Sequence, residues 1–233
     1  LLQPKSIALF GGLWIENVAN QIKNSNFKGN VWPINPHRKS IAGYKCFQDI
    51  SDLPGVPDTA FIGVNRTKTL EILTKLNEVG CGGATCFAAG FSEVDKYGKQ
   101  LQKKLSKASK DMPFLGPNCY GYINYLDHIH MWPDQHGGKE VEKGVAIIAQ
   151  SSNIAINLTM NTRSTPIAYV LTTGNQAKID MSDLGLAMIN DKRVTAIGIY
   201  IEGFKDIKKF EKMAFSALRS NIPIVVLKSG KTD

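Results

Sequence analysis

Short apolar runs alternate with amphipathic stretches along most of this chain. Residues 6–10, 31–35, 60–64, 84–88 and 113–115 read as strands. They are apolar almost throughout, as strands covered on both faces must be. Between them, residues 15–26, 67–79 and 96–110 carry helical spacing. The rhythm pauses over 118–143, a stretch rich in Pro, Gly, His and aromatic residues, and then restarts. Strands are predicted at 145–149, 167–171, 194–201 and 224–228, with helices at 153–163, 181–190 and 206–220. Alternation of this kind implies parallel sheets joined by right-handed crossovers. The pause places a boundary between two α/β domains, 1–125 and 144–233, with 126–143 as the segment between them.

Composition adds limits. The longest apolar runs are about strand length, which excludes a membrane-spanning helix in these 233 residues. No signal-peptide pattern opens the sequence. The four cysteines (Cys46, Cys81, Cys86, Cys119) form no C-x-x-C pair, which favours reduced thiols in a cytoplasmic protein. His128 and His130 lack a carboxylate or Cys to complete a metal set, so no metal site is expected. The 28 basic against 20 acidic residues give a net charge of +8. That excess suits a polyanionic ligand. It is dispersed over helices without aromatic interleaving, which argues against nucleic acid. With no initiator Met and a final strand followed by K-S-G-K-T-D at 228–233, the chain reads as a fragment.

In open parallel sheets, ligands bind beyond the carboxyl ends of the strands. One such end is unusual: after V-A-I-I-A at 145–149 come Gln150, Ser151 and Ser152, and helical spacing resumes at once. A strand that runs into small polar residues opening a helix offers free N–H groups and hydroxyls to an anion. A plain N-cap role for Ser151 or Ser152 fits the same residues. Glu202 ends the apolar run 194–201 and carries a carboxylate to the same sheet edge. The other strand ends are Gly11-Gly12, Asn35 to Arg38, Asn65-Arg66, Ala89-Gly90, Asn118 and Gly174-Asn175.

Taken in order, these ends resemble one family, the NDP-forming acyl-CoA synthetases, relatives of the succinyl-CoA ligase α subunit. The residues that carry the resemblance are P-K-S-I-A at 4–8, N-P-H-R at 35–38 and G-Y-K at 43–45. D-L-P-G-V-P-D follows at 52–58, A-A-G-F-S-E at 88–93 and L-G-P-N-C-Y-G at 115–121. The second half supplies V-A-I-I-A-Q-S-S at 145–152, G-N-Q-A at 174–177, I-E-G at 201–203 and V-V-L-K-S-G at 225–230. The match runs unbroken over essentially the whole chain.

The resemblance implies a Rossmann-like CoA-binding domain followed by a flavodoxin-like domain of the succinyl-CoA ligase type, both with parallel sheets. It implies a ligase that joins a carboxylic acid to CoA at the expense of ATP, with Mg²⁺, through an acyl phosphate and a phosphohistidine. In that scheme Gln150, Ser151 and Ser152 receive phosphate, with Asn118, Gly174 and Asn175 around them. Glu202 orients a histidine that the family carries after the K-S-G motif, beyond these residues. CoA is expected at Gly11, Gly12, Asn35, Arg38, Lys39, Asn65, Arg66, Ala89 and Gly90, with Arg38 suited to its 3′-phosphate. An ATP-grasp domain or subunit is the implied partner, in a homo- or hetero-oligomer. The sequence departs from the family where Leu13 and Trp14 follow Gly11-Gly12 directly, which places Trp14 in the way of the diphosphate. Ala149, Ser152 and Lys178 are further departures. The competing readings are a non-catalytic module that binds CoA or a nucleotide and, ranked below it, an NAD(P)-dependent oxidoreductase.

Overall fold

A computed structural model describes residues 1–162 and 164–230. The chain opens with β1 (Ser6–Gly11), α1 (Leu13–Asn24) and β2 (Asn30–Ile34). A small ladder of β3 (Ser40–Ile41) and β4 (Tyr44–Lys45) precedes β5 (Thr59–Gly63), α2 (Arg66–Glu78), β6 (Ala84–Cys86), α3 (Lys96–Ala108) and β7 (Phe114–Leu115). The first sheet has the order β2-β1-β5-β6-β7 and is parallel throughout. Its order reverses between β1 and β5, and that is where a doubly wound sheet opens a crevice.

The stretch from 118 to 143 is not irregular. It holds a hairpin, β8 (Tyr122–Asn124) and β9 (Ile129–Met131), which turns at His128 with a positive φ of 58°. β8 pairs antiparallel with the second sheet, so that sheet is mixed rather than parallel as the pattern predicts. Its other strands are β10 (Gly144–Ala149), β11 (Ile167–Thr172), β12 (Val194–Ile201) and β13 (Ile224–Lys228), in the order β13-β12-β10-β11-β8-β9. The helices α4 (Ser152–Thr159), α5 (Met181–Asn190) and α6 (Ile207–Arg219) make the crossovers. A three-residue strand is too short for periodicity to reveal, which is why the hairpin escapes the sequence pattern.

The hairpin joins the two sheets. Tyr122, Ile129 and Met131 are buried in one core cluster with Ile7, Leu9 and Phe61 of the first sheet, Ile15 of α1, and Ala146, Ile148 and Tyr169 of the second sheet. From α1, Asn17 Nδ2 donates to the Pro133 carbonyl at 3.1 Å and Gln21 Nε2 to that of Asp134 at 2.7 Å. Arg193 fastens the far end, with a two-pronged pair to Asp127 (2.7 and 3.0 Å) and a further contact to Asp191 (2.9 Å).

Helix ends follow their caps. Asp95, Asp180 and Asp206 each accept first-turn N–H groups, and Asp180 forms a capping box with Asp183. The pattern predicts α4 to residue 163, but it stops at Thr159. There the Thr159 hydroxyl donates back to the Ile156 carbonyl (2.7 Å) and accepts from Gly137 N (3.2 Å), a side-chain bond that competes with helix continuation. Arg163 and residues 231–233, where the last predicted helix would begin, lie outside the described residues.

Candidate functional site

Two cavities open at the two places where strand order reverses. The first lies between the ends of β1 and β5. It is lined by Gly11, Gly12, Asn35, His37, Asn65, Lys68 and Lys75 among others, and has a volume of about 570 Å³. Gly11 lies at φ 146°, and a Cβ there would stand 2.5 Å from the Gly63 carbonyl oxygen, so only glycine lets the two strand ends come this close. The Asn35 amide donates to the Gly11 carbonyl at 2.7 Å and holds the end of β2 against this turn. Gly12 is the N-cap of α1 and leaves the first-turn N–H groups without a side-chain acceptor. Asn65, in contrast, caps α2 by accepting from Lys68 N at 3.0 Å.

Of the nine residues expected to meet CoA, this cavity gathers Gly11, Gly12, Asn35 and Asn65. Arg38 lies outside it and donates to Glu16 Oε2 at 2.6 Å, and Lys39 is exposed nearby. Arg66 turns the other way, donating to the Gly90 carbonyl at 2.6 Å with its guanidinium 5.1 Å from the Tyr97 ring centroid. Trp14 does not line the cavity either. Its ring packs on Phe87, with centroids 4.8 Å apart, so it leaves the glycine turn open.

The second cavity, about 410 Å³, lies where β10 and β12 end. It is lined by Gln150, Ser151, Ser152 and Asn153 from one strand end and by Glu202 from the other, with Phe87, Ala89, Asn118, Cys119 and Tyr120 from the first half of the chain. Gln150 Oε1 accepts from the backbone N–H of Glu202 (2.9 Å) and of Gly203 (3.0 Å). Its oxygen is thereby committed, and its –NH₂ is the part left to donate. Ser151 is the N-cap of α4 but makes no side-chain capping bond, so its hydroxyl is not consumed by the helix. Ser152 Oγ accepts from Tyr120 N at 3.1 Å and keeps its own proton to donate. Donors therefore converge on the start of α4, where the first-turn amides also lack intrahelical partners.

Gly174 and Asn175 do not line this cavity; they pack against the turn that carries Asn118. Gly174, at φ 51°, is pressed so close to the turn at Pro117 and Asn118 that a Cβ would meet the Pro117 carbonyl at 2.3 Å. Asn175 N donates to that carbonyl at 2.9 Å, and its side chain donates to Glu93 and Gln102. These residues shape the Asn118 turn. Burial would raise the Glu93 carboxyl, but bonds from Asn175 and from the Gly90 and Phe91 amides outweigh it and hold it below its ordinary range. Cys119 lines the cavity as a protonated thiol, pushed up to about 12 by burial.

Sequence reasoning missed Phe87 and Tyr120. An aromatic residue at a strand end reads as core, and only the fold shows that both face the same cavity as Glu202. Among the described residues, no histidine lines that cavity: His37 borders the first one, and His130 and His136 stack near Tyr125. Among the described residues, no cluster of three or more His, Cys, Asp or Glu is placed to hold a metal ion, and no helix is long and apolar enough to cross a membrane.

Comparison with known proteins adds to this geometry. A family described as a CoA binding domain matches residues 5–125, and one described as a succinyl-CoA ligase like flavodoxin domain matches residues 142–233. An ADP-forming acetate–CoA ligase of Methanocaldococcus jannaschii is 33% identical over 99% of this chain and 33% of its own length. A trans-feruloyl-CoA synthase from an unidentified prokaryote is 29% identical over the whole of this chain and 35% of its own. The solved dinucleotide-forming acetyl-coenzyme A synthetase 1 of Ca. Korarchaeum cryptofilum, in complex with phosphate and ADP, superposes with a TM-score of 0.88 at 29% identity, over 99% of this chain and 51% of that one. This chain thus spans about a third of those curated relatives and about half of that solved chain.

Proposed function

Because the chain belongs to the CoA-binding domain family, we propose that it is the CoA-binding and phosphate-receiving part of an ADP-forming acid–CoA ligase. The reaction is carboxylate + CoA + ATP ⇌ acyl-CoA + ADP + phosphate, by way of an acyl phosphate and a phosphohistidine. One observation carries the reading: Gln150, Ser151, Ser152, Asn118 and Glu202 meet in one cavity at the reversal point of the second sheet. Four of these supply donors and the fifth a carboxylate, which is the division of labour the chemistry needs.

The α4 N-terminus and the two serine hydroxyls hold the phosphoryl oxygens. A helix N-terminus contributes about 0.3–2 kcal/mol toward an anion, and the hydroxyls add direct hydrogen bonds. Glu202, joined to the start of α4 through the Gln150 bridge, serves an incoming imidazole. Accepting from one ring nitrogen, it fixes the tautomer and leaves the other nitrogen to take the phosphoryl group. That histidine and the ATP-grasp module, with its Mg²⁺, are supplied by a further domain or a partner subunit; among the described residues, no histidine lines the cavity. CoA enters through the first cavity, with its diphosphate over the Gly11-Gly12 turn and the amides of α1. The four cysteines are free thiols, in keeping with a cytoplasmic enzyme.

The test uses the full-length enzyme with its ATP-dependent module. Acyl-CoA should form only when an acid, CoA, ATP and Mg²⁺ are all present. Glu202→Gln should suppress acid-labile phosphoprotein at least about tenfold, the order of loss expected for a residue that orients a reacting imidazole, with CoA affinity kept. Loss of CoA binding with phosphorylation intact would refute the assignment of Glu202.

A further inference from the structure

The cavity that holds Ser151, Ser152 and Glu202 has one wall of a different character. Phe87, just past the end of β6, and Tyr120, two residues after Asn118, line it with ring centroids 5.6 Å apart. Both rings are partly exposed. Both are also braced from behind. Fully buried Phe61 lies 5.8 Å from Phe87, and fully buried Trp132 meets Tyr120 edge-on at 5.4 Å. Trp14 closes the ladder on the other side of Phe87 at 4.8 Å. The two rings are therefore held as a fixed surface. The bond from Tyr120 N to Ser152 Oγ, 3.1 Å, joins that surface directly to the start of α4.

A cavity that is polar on one side and aromatic on the other suits a ligand divided the same way. A carboxylate oxygen of the acid must reach the phosphorus of the phosphoryl group held at Ser151 and Ser152, forming the O–P bond of the acyl phosphate as the N–P bond to the histidine breaks, so the rest of the acid projects along the neighbouring wall. An acid with one methyl group cannot cover two aromatic faces and leaves them wet. A flat aryl or conjugated acid covers them, in the offset and edge-on arrangements that aromatic pairs prefer. The volume, about 410 Å³, is within the range of small-molecule sites.

We propose that Phe87 and Tyr120 are the specificity wall of this site, and that its substrates are carboxylic acids bearing an aromatic or conjugated substituent. The proposal rests on the ligase reading above. The relatives compared above are named for both a small acid and an aryl acid, so their names do not choose between the classes. The braced wall does.

The full-length enzyme is assayed for acyl-CoA formation with acetate, cinnamate, 3-phenylpropanoate and 3-cyclohexylpropanoate. The last two have similar size but differ in flatness. Cinnamate and 3-phenylpropanoate should have higher kcat/KM than acetate, and 3-phenylpropanoate should exceed its cyclohexyl counterpart. Phe87→Leu, which keeps an apolar side chain and removes the flat face, should lower the cinnamate-to-acetate ratio by about fivefold. Phe87→Tyr, which restores a ring, should recover it. Preference for acetate, or a ratio unmoved in Phe87→Leu, overturns the wall while leaving the ligase intact. Absence of acyl-CoA from every acid removes the ligase reading, and this proposal falls with it.

Discussion

The Gln150 side-chain carbonyl accepts the backbone N–H of Glu202 at 2.9 Å, across the point where the second sheet reverses its strand order. The same oxygen takes the N–H of Gly203 at 3.0 Å. One amide thus sets the spacing between the proposed anion site at the start of α4 and the carboxylate opposite it. Because both partners are donors, the orientation of the amide is determined, and its –NH₂ is turned to other acceptors.

Gln150→Glu separates these roles. A carboxylate oxygen still accepts both N–H groups, so the thermal midpoint should move little. The –NH₂ donor becomes an anionic oxygen, so phosphate should be repelled. We expect at least about a tenfold loss of phosphate affinity, comparable to losing one charge-assisted hydrogen bond. Calorimetry with inorganic phosphate on the full-length protein measures it. An unchanged affinity would place the anion away from Gln150.

The first cavity calls for a revision of the sequence expectation for Arg38. That arginine is paired with Glu16, whereas Lys68 lines the cavity with no ion pair among the described residues. Lys68→Ala should weaken CoA about tenfold, as expected for a charged hydrogen bond. Arg38→Ala should weaken it by less. Titration with CoA and with 3′-dephospho-CoA tells which cation meets the 3′-phosphate. If only Arg38→Ala narrows the gap between the two ligands, the sequence reading of Arg38 stands and the ion pair opens on binding.

These cases show what the sequence makes legible. Strand ends are readable because a buried parallel strand is a continuous apolar run, and the residue that ends it lies at the ligand edge. Gly11, Asn35, Gln150 and Glu202 are found that way. Contacts between distant elements leave no such trace. Nothing local to Arg38 reveals Glu16, twenty-two residues away on α1. The same holds for Phe87 and Tyr120, which are thirty-three residues apart and meet only because β6 and the Asn118 turn are neighbours. The hairpin at 122–131 is lost for a different reason, since its three-residue strands are too short to show the alternation that marks a strand.

Asn175 tests the support of the site. Its –NH₂ donates to Glu93 and, at 2.9 Å, to Gln102 Oε1, joining the loop after β11 to the Glu93 loop and to α3. Asn175→Asp sets a second carboxylate against Glu93. The expected cost is about 1–3 kcal/mol, read as a lower denaturant midpoint at pH 7. The penalty should shrink toward pH 4, where one of the two carboxyls takes up a proton. A penalty that does not change with pH would show that packing rather than charge is responsible.

His130 sets the stability of the chain in mild acid. It is buried, its Nε2 has no hydrogen-bond partner, and its ring lies 4.7 Å from that of His136. Burial, then the neighbouring His136 and His128, push its pKa down to about 3. The sign follows from proton binding. Below about pH 6.5 the unfolded chain takes up a proton that the folded one refuses, so stability falls as pH drops toward 3. The slope approaches about 1.4 kcal/mol per pH unit for one such group, or about 2 kcal/mol between pH 7 and pH 5. His136, lowered by burial against the opposing charge of Glu140, adds to the same trend. Denaturation midpoints at pH 7 and pH 5 measure the difference. His130→Phe should remove most of it, and a pH dependence equal to that of the unsubstituted protein would assign the loss to another group.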